Sequence, residues 1–350
     1  MVTGFRFGDW EIGAGRCFVI AEAGVNHNGD VELAHRLIDA AGDAEADAVK
    51  FQTFDPERLV SPSASKAEYQ IANTGTAGTQ LEMLRSLVLP REAHAELQSH
   101  AEERSVCFLS TPFDEGSADF LHELGVPLFK VGSGDLTNHS LLAHLARKGL
   151  PLIISTGMAS LGEVEEAVAV VEGAGDPPIA LLHCVSNYPA SPENSNLRAV
   201  DTLRETFSVP VGWSDHTEGI WVSLAAAARG ADVVEKHFTL ERTLPGPDHV
   251  ASLEPDELRD LVHSIRRIET TLGDGLKAPI ESEMAVAAVA RRSLHARVDL
   301  SVGHRIGRSD LIALRPGTGI EPARLDEVCG RVLRAELSAG EMITSEHLGE

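Results

Sequence analysis

Short apolar segments recur along the first 240 residues, and nearly every one ends in a cluster of polar residues. Segments of Val, Ile, Leu and Phe without polar alternation are typical of strands that are buried on both faces of a parallel sheet. Eight such strands alternating with helices predict an α/β fold, a closed (β/α)8 TIM barrel whose active site lies at the C-terminal strand ends. The eight segments are Cys17–Gly24, Ala46–Phe54, Ser105–Asp114, Pro127–Asp135, Pro151–Met158, Ile179–Cys184, Pro210–Thr217 and Asp232–Phe238.

Amphipathic stretches lie between these segments and predict the outer helices of the barrel. Examples are Val31–Ala44, Ser140–Gly149, Leu161–Gly175 and Glu254–Gly275, where apolar residues recur at helical spacing. The connection after the second segment, residues 55–87, is unusually long. Because long loops on the catalytic face of a barrel are usually functional, we expect a lid or a partner contact there.

The charge of the chain changes near Arg291, which indicates a domain boundary. Nine basic and nine acidic residues follow from that position, whereas the first 290 residues contain 21 basic and 44 acidic ones and carry the whole net charge of −23. The C-terminal part combines short β-like stretches with turn glycines. We therefore predict a barrel domain over residues 1–278, a linker over 279–290 and a small β-rich domain over 291–350.

Composition excludes several classes of protein. A net charge of −23 argues against nucleic acid as a partner. No stretch approaches about 18 consecutive apolar residues, so no membrane span is expected, and the N-terminus lacks the apolar core of a signal peptide. The four cysteines, at 17, 107, 184 and 329, have neither metal-binding nor disulfide spacing. They are interpreted as free thiols in a reducing compartment, and we expect a cytoplasmic protein.

Cationic and hydroxyl side chains occur where the predicted strands end. Lys50 and Lys130 each follow a buried apolar run, a position that is unfavourable for a core lysine. Taken singly, each could also be a surface lysine, and each hydroxyl could belong to a turn. Together they provide what a phosphate plus a carboxylate requires. The hydroxyl residues at these strand ends are Thr111, Ser133, Ser155 and Ser214.

Two histidines end the seventh and eighth predicted strands, which are neighbours in a barrel. His216 and His237 could therefore share a divalent cation, although a single histidine at such a position is more often a structural residue. A site of two imidazoles without thiolate favours Mn²⁺, with Mg²⁺ or Co²⁺ as alternatives. Glu22, at the end of the first strand, could complete the site directly or through water. Asp248, after a Pro-Gly turn, directs a second carboxylate to the same rim or caps that turn.

Read in order, these residues resemble the N-acetylneuraminate (sialic acid) synthase family, also called nonulosonic acid synthases. The resemblance extends collinearly over almost the whole chain. The matching phrases are IAEAGVNHNGD, AVKFQTF, KAEYQ with NTG, FLSTPFD, FKVGSGDLTN, ISTGMA, LLHCVSNYP, GWSDHTEGI, EKHFTLER, PGPDHVASLEP and RPGTGI.

The resemblance implies a TIM barrel followed by an antifreeze-like SAF domain in a domain-swapped homodimer. It also implies a metal-dependent transferase that joins phosphoenolpyruvate to an open-chain N-acetylmannosamine-type sugar and releases phosphate. His216 and His237 would hold the metal, and Glu22 and Asp248 would act beside them. Phosphoenolpyruvate would be bound by Lys50, Thr111, Lys130, Ser133, Ser155 and Ser214. Sugar contacts would come from Gln52, Tyr188, Asp248 and, through the partner's small domain, Arg315.

Two sugars remain open at this point. The resemblance implies an N-acetylneuraminate synthase-like activity as the first choice. The alternative is an N,N'-diacetyllegionaminate synthase, whose sugar is 2,4-diacetamido-2,4,6-trideoxymannose. Asp135 is followed by LTN, where some sialic acid synthases have Glu. The matching motifs as a whole are at least as similar to the legionaminate subgroup.

Three other functions fit the pattern less well. A barrel synthase for a phosphorylated sugar would need further cations for a second phosphate, but the strand ends contain only two lysines. A metal-dependent aldolase would act without phosphoenolpyruvate and release no phosphate. A non-catalytic saccharide-binding protein would lack some metal or phosphate residues, but all of them are present.

Overall fold

A computed structural model describes residues 4–75 and 77–349 of the chain. These residues form two compact units, and the chain passes from the first to the second between Gly273 and Asp274. The first unit contains a parallel sheet of eight strands, and the second contains a short antiparallel pair. Each unit has a hydrophobic core of its own.

Parallel strands form the centre of the first unit. A short antiparallel hairpin of β1 (Phe5–Phe7) and β2 (Trp10–Ile12) precedes them. The sheet order is β5-β4-β3-β10-β9-β8-β7-β6, so β10 returns to β3, and the edge strands β5 and β6 pack side by side. The result is a nearly closed barrel, which confirms the predicted fold class. Its strands are β3 (Phe18–Gly24), β4 (Ala48–Thr53), β5 (Cys107–Pro112), β6 (Phe129–Val131), β7 (Leu152–Ser155), β8 (Ile179–Cys184), β9 (Val211–Asp215) and β10 (Val233–His237).

The barrel strands are buried on both faces, which explains their lack of polar alternation. On β3, Val19 and Ala21 pack in the large cluster that includes the helices, whereas Phe18 and Ile20 belong to a second cluster. Successive side chains of a strand point to opposite faces. The second cluster therefore fills the barrel interior, and complete burial of one such side chain stabilises the fold by about 1.5–3 kcal/mol.

Helices alternate with the strands around the barrel. The first begins after Asp30, whose carboxylate caps it by accepting from the backbone N–H groups of Glu32 and Leu33. Among the described residues, every helix is too short or too polar to cross a lipid bilayer. The helices of this unit are α1 (Val31–Asp43), α2 (Pro56–Leu59), α3 (Glu68–Thr74), α4 (Gln80–Arg85), α5 (His94–Glu103), α6 (Glu115–Leu124), α7 (His139–Ala146), α8 (Leu161–Ala174), α9 (Arg198–Phe207), α10 (Trp221–Ala228) and α11 (Pro255–Leu272).

The long connection between β4 and α5 contains the three short helices α2, α3 and α4. Local caps explain why helical turns form there. Asp55 caps α2, and Thr79 and Glu82 form a capping box at the start of α4. Asn73 at the end of α3 donates a hydrogen bond to the carbonyl oxygen of Pro247, at 2.6 Å, and so ties this connection to the loop after β10.

The second unit begins with α12 (Glu281–Ala290), which lies within the predicted linker 279–290. The antiparallel strands β11 (Ser293–Ala296) and β12 (Leu311–Leu314) and the short helix α13 (Leu325–Val328) follow. Leu294, Ile306, Leu333 and Ile343 are among the apolar residues of its core. The exact domain boundaries at 278 and 291 stay a prediction.

Candidate active site

The strand register brings the sequence-predicted polar residues to the C-terminal end of the barrel. Glu22 on β3 lies beside His237 on one side and Lys50 on the other. Gln52 on β4 lies beside Thr111 on β5. Because neighbouring parallel strands end at the same edge, residues that are far apart in sequence meet at one mouth of the barrel.

The two lysines are almost fully buried and bind the predicted hydroxyl groups. Lys50 Nζ lies 2.9 Å from Thr111 Oγ1 and 2.7 Å from a carboxylate oxygen of Glu22. Lys130 Nζ lies 2.8 Å from Ser155 Oγ. A buried ammonium group is unfavourable unless it is paired and hydrogen-bonded, and these contacts supply both kinds of partner.

A carboxylate that the sequence analysis missed lies between the two lysines. Glu235 on β10 is 3.4 Å from Lys130 Nζ and 3.8 Å from Lys50 Nζ, and it accepts a hydrogen bond from Ser214 Oγ at 3.0 Å. The signal that could have identified it is the strand period of two. Glu235 precedes His237 by two residues, so the side chains of both point into the barrel.

Burial and ion pairing act against each other on the pKa values of these groups. Burial raises the pKa of Glu22 to about 7 even though Lys50 opposes the shift. Burial acts in the same direction on Glu235, but the two lysines outweigh it and lower the pKa of that carboxyl to about 2. Burial lowers the pKa of Lys130, whereas Lys50 keeps a raised pKa because Glu22 and Glu235 outweigh its desolvation. Glu22 is therefore the carboxyl group suited to exchange a proton near neutral pH.

Ser133 and Gly157, which follow β6 and β7, form a second polar group. Ser133 Oγ accepts a hydrogen bond from the backbone N–H of Gly157 at 2.9 Å and lies 3.6 Å from Cys184 Sγ. A Cβ atom at Gly157 would come within 2.8 Å of Ser133 Oγ, so a larger residue would crowd this cradle. Because the Gly157 N–H is already used, the hydroxyl proton of Ser133 is the donor that this group offers to an anion.

The two predicted metal ligands lie close together. The ring centroids of His216 and His237 are 5.6 Å apart, and the ring of Tyr188 lies 4.1 Å from that of His216. His216 Nδ1 is 2.8 Å from the carbonyl oxygen of Val185. Because a carbonyl oxygen only accepts, Nδ1 carries a proton, and in the neutral form of the ring Nε2 has the lone pair for a ligand.

The donor set fits a divalent cation that takes its remaining ligands from substrate or water. His237 Nδ1 is buried and has no hydrogen-bond partner among the described residues, and burial keeps the pKa of this imidazole well below its usual value. Neutral imidazole is the form that binds a metal. Within residues 4–75 and 77–349 no group of three His, Cys, Asp or Glu side chains is arranged to hold an ion. His216 and His237 stay the predicted protein ligands of such an ion.

The residues predicted for the sugar belong to the first unit, with one exception. Gln52 Nε2 donates to Glu22 at 3.2 Å. Asp248 is buried, its Oδ1 lacks a hydrogen-bond partner in the described part of the chain, and burial raises its pKa to about 6. Tyr69 on α3, which the sequence analysis did not single out, stacks on Tyr188 with ring centroids 5.0 Å apart. The exception is Arg315, which belongs to the second unit and is exposed there.

Comparison with known proteins identifies the family. A model of the NeuB family matches residues 37–277, and a model of the SAF domain matches residues 291–349. The chain belongs to the NeuB family. It is thus a nonulosonic acid synthase of the barrel-plus-SAF type, and the resemblance and the fold stated from the sequence are confirmed.

Similar proteins extend over nearly the full chain. It is 50% identical over 336 residues to the N,N'-diacetyllegionaminic acid synthase of Legionella pneumophila, with 95% of this chain and 94% of that one covered. Identity to the enzyme with the same name from Campylobacter jejuni is 46%, covering 94% of this chain and 99% of that one. The N-acetylneuraminate-9-phosphate synthase of Homo sapiens is 37% identical, covering 97% of this chain and 94% of that one.

A solved structure agrees with this assignment. The sialic acid synthetase of Leptospira borgpetersenii, crystallised with citrate, superposes with a TM-score of 0.73 at 38% identity. The alignment covers 82% of this chain and 95% of that one. Across the relatives, identity is higher to the two legionaminic acid synthases than to the N-acetylneuraminate-9-phosphate synthase, which favours the alternative function over the first choice from sequence.

Proposed function

We propose that this protein is an N,N'-diacetyllegionaminate synthase. It condenses phosphoenolpyruvate with open-chain 2,4-diacetamido-2,4,6-trideoxymannose and releases phosphate. The observation that carries this choice is the identity of 50% and 46% to two enzymes of that name, against 37% to a synthase named for N-acetylneuraminate 9-phosphate. The N-acetylneuraminate synthase activity placed first from sequence becomes the competing hypothesis.

Phosphoenolpyruvate is proposed to bind between the two lysines. Lys50 with Thr111, and Lys130 with Ser155, form a buried cationic pair, and Ser214 lies beside them through Glu235. Ser133 provides a second donor nearby, because its hydroxyl group accepts from the Gly157 N–H and has its own proton for an anion. A substrate with both a phosphate and a carboxylate suits two such positions, since charge-assisted hydrogen bonds strengthen when water is excluded.

The condensation forms one carbon–carbon bond and requires proton transfers at the aldehyde oxygen of the sugar and at C2 of phosphoenolpyruvate. C3 of phosphoenolpyruvate attacks the aldehyde carbon of the sugar, and the aldehyde oxygen takes a proton for which Asp248 is the proposed source. Water adds to the cationic C2, and Glu22 accepts the proton that this water loses. The bond between C2 and the phosphate oxygen then breaks, and the proton of the new C2 hydroxyl group passes to the departing phosphate, which yields the keto acid. With pKa values of about 6 and about 7, both carboxyl groups can exchange a proton near neutral pH.

Mn²⁺ is the proposed cofactor, with Mg²⁺ or Co²⁺ as alternatives, and His216 and His237 would hold it. When bound, such an ion acts as a Lewis acid toward a carbonyl oxygen. The chain itself fixes the His216 ring through the Val185 carbonyl and packs Tyr188 against it.

Offering the enzyme two sugars tests the proposed substrate. Purified protein with Mn²⁺ and phosphoenolpyruvate receives either the diacetamido-trideoxy sugar or N-acetylmannosamine. We expect kcat/KM to be higher for the first by about 10²-fold or more, because a polar group left without its partner in a closed site is strongly disfavoured. Mass spectrometry of the product and phosphate release provide the measurement. A preference for N-acetylmannosamine would reject the legionaminate assignment and keep the synthase, whereas product without phosphate would reject both.

A domain-swapped homodimer is also proposed, with Arg315 of the partner subunit contacting the sugar. Exposure of Arg315 within its own unit is compatible with such a role. We expect Arg315→Ala to raise KM for the sugar about tenfold and KM for phosphoenolpyruvate less than twofold, since it removes one charged hydrogen-bond donor. Arg324→Ala is the matched control, because Arg324 pairs on the surface with Glu327. Equal effects of Arg315→Ala on both KM values would contradict the assignment.

A further inference from the structure

Glu235 is placed to control the two lysines of the site. Its carboxylate contacts Lys130, Lys50 and Ser214, three of the side chains proposed for phosphoenolpyruvate. The side chain is 7% exposed. We infer that Glu235 is a positioning residue that keeps Lys50 and Lys130 charged and oriented for phosphoenolpyruvate, an inference that rests on the proposed function.

The register places Glu235 deeper in the barrel than the ligands it would support. Glu235 lies beside Ile20, whereas His237 lies beside Glu22, which in turn lies beside Lys50. Two residues along a strand correspond to about 7 Å. The backbone of Glu235 therefore lies below that of Glu22 and His237, and its carboxylate lies between the ammonium groups of Lys50 and Lys130.

Glu235 offsets the positive charges of Lys50 and Lys130, which packing alone would not do. Two ammonium groups buried next to the same carboxylate repel each other, and each is penalised by the loss of water. Glu22 pairs closely with Lys50, at 2.7 Å. Lys130 depends on Glu235, which is the largest influence opposing the fall of its pKa on burial. Without Glu235, Lys130 would hold its proton less firmly and would keep only neutral partners, Ser155 Oγ and the carbonyl oxygen of Val131.

Two effects of removing the charge oppose each other. Loss of a carboxylate reduces direct repulsion of the substrate anion, but the charge of Glu235 is already offset by the two lysines that contact it. Loss of the same carboxylate weakens a contact of 3.4 Å to Lys130 inside a dry site. We expect the weakened contact to Lys130 to dominate, because it is a direct contact, whereas repulsion between Glu235 and the substrate anion is reduced by distance and by the lysine charges.

Glu235→Gln tests the inference, because glutamine keeps the shape and can still accept from Ser214. We expect KM for phosphoenolpyruvate to rise about tenfold or more, with KM for the sugar within about twofold, as removal of one member of a buried charge pair predicts. The matched control is Asp47→Asn, another buried carboxylate, which pairs with Arg16 and Arg266 at the start of the strands. Its KM for phosphoenolpyruvate should stay within about twofold of wild type at a similar loss of thermal stability.

A conservative variant keeps the test decisive if Glu235→Gln does not fold. Glu235→Asp retains the charge but withdraws it from the lysines by one methylene, so KM for phosphoenolpyruvate should rise about threefold or more, and less than in the glutamine variant. An unchanged or lower KM for phosphoenolpyruvate in either variant would overturn the inference while leaving the proposed function intact. A wild-type protein that releases no phosphate from phosphoenolpyruvate with either sugar would overturn the proposed function, and the inference with it.

Discussion

His216→Ala and His237→Ala should each lower kcat/KM by about 10³-fold or more, because a Lewis acid contributes several kcal/mol to the transition state. Either change removes one of the two imidazoles whose ring centroids are 5.6 Å apart. With two protein ligands in the proposed site, loss of one also lowers the affinity for the ion. Phosphate release at saturating Mn²⁺ gives the rate, and Mn²⁺ bound to each variant after gel filtration gives the occupancy.

His183→Ala is the matched control for both variants. His183 lies near the end of β8, but its Nε2 contacts the carbonyl oxygen of Ser195, and its ring packs near Trp213 outside the barrel. We expect its kcat/KM to stay within about fivefold of wild type, the range of a change that removes only one structural hydrogen bond. Near-normal activity of His216→Ala or His237→Ala in chelated buffer would show that the metal assignment is wrong.

Lys130→Met should lower kcat/KM for phosphoenolpyruvate by about 10²–10³-fold, the usual effect of removing one charged donor from a closed site. Methionine fills a similar volume without a charge, so the loss reports electrostatics and not a cavity. The residual ion pair of Glu235 with Lys50 at 3.8 Å remains. Steady-state kinetics with each substrate varied in turn separates an effect on phosphoenolpyruvate from one on the sugar.

Lys148→Met serves as the control for Lys130→Met. Lys148 pairs with Asp119, whose side chain is half exposed, away from the strand ends. Its substitution should leave both KM values within about twofold, since pairs with an exposed partner contribute little. If Lys130→Met raised KM for the sugar and left KM for phosphoenolpyruvate unchanged, the assignment of Lys130 to phosphoenolpyruvate would be contradicted.

The barrel and most of its mouth could be predicted from sequence because one physical rule links them. Strands buried on both faces lack polar alternation, and the first polar residue after each marks the mouth. Lys50, Lys130 and His237 were identified in this way, although Lys50 and Lys130 lie within β4 and β6 and not after them. Glu235 was missed because it is the first of three consecutive polar residues in VVEKH, and the sequence analysis gave a role only to the last of them. Only its pairing with residues from β4 and β6 reveals its position, and such contacts are not visible along one chain.

Local signals were also present but not used in the long connection after β4. Asp55 before a proline, and Thr79 three residues before Glu82, are capping patterns that predict the starts of α2 and α4. The stack of Tyr69 on Tyr188 could not be predicted, since it depends on how α3 folds back over the mouth. The choice of sugar likewise required relatives, because groups at C4 and C6 of the sugar leave no motif in the strand ends.

A crystal structure of the protein with phosphoenolpyruvate and Mn²⁺ tests most directly whether the lysine–hydroxyl group and the paired imidazoles form one active site. The account predicts phosphoenolpyruvate in contact with Lys50 and Lys130, together with an anomalous manganese peak within bonding distance of His216 and His237. Phosphoenolpyruvate bound away from both lysines, or manganese bound without either histidine, would contradict it.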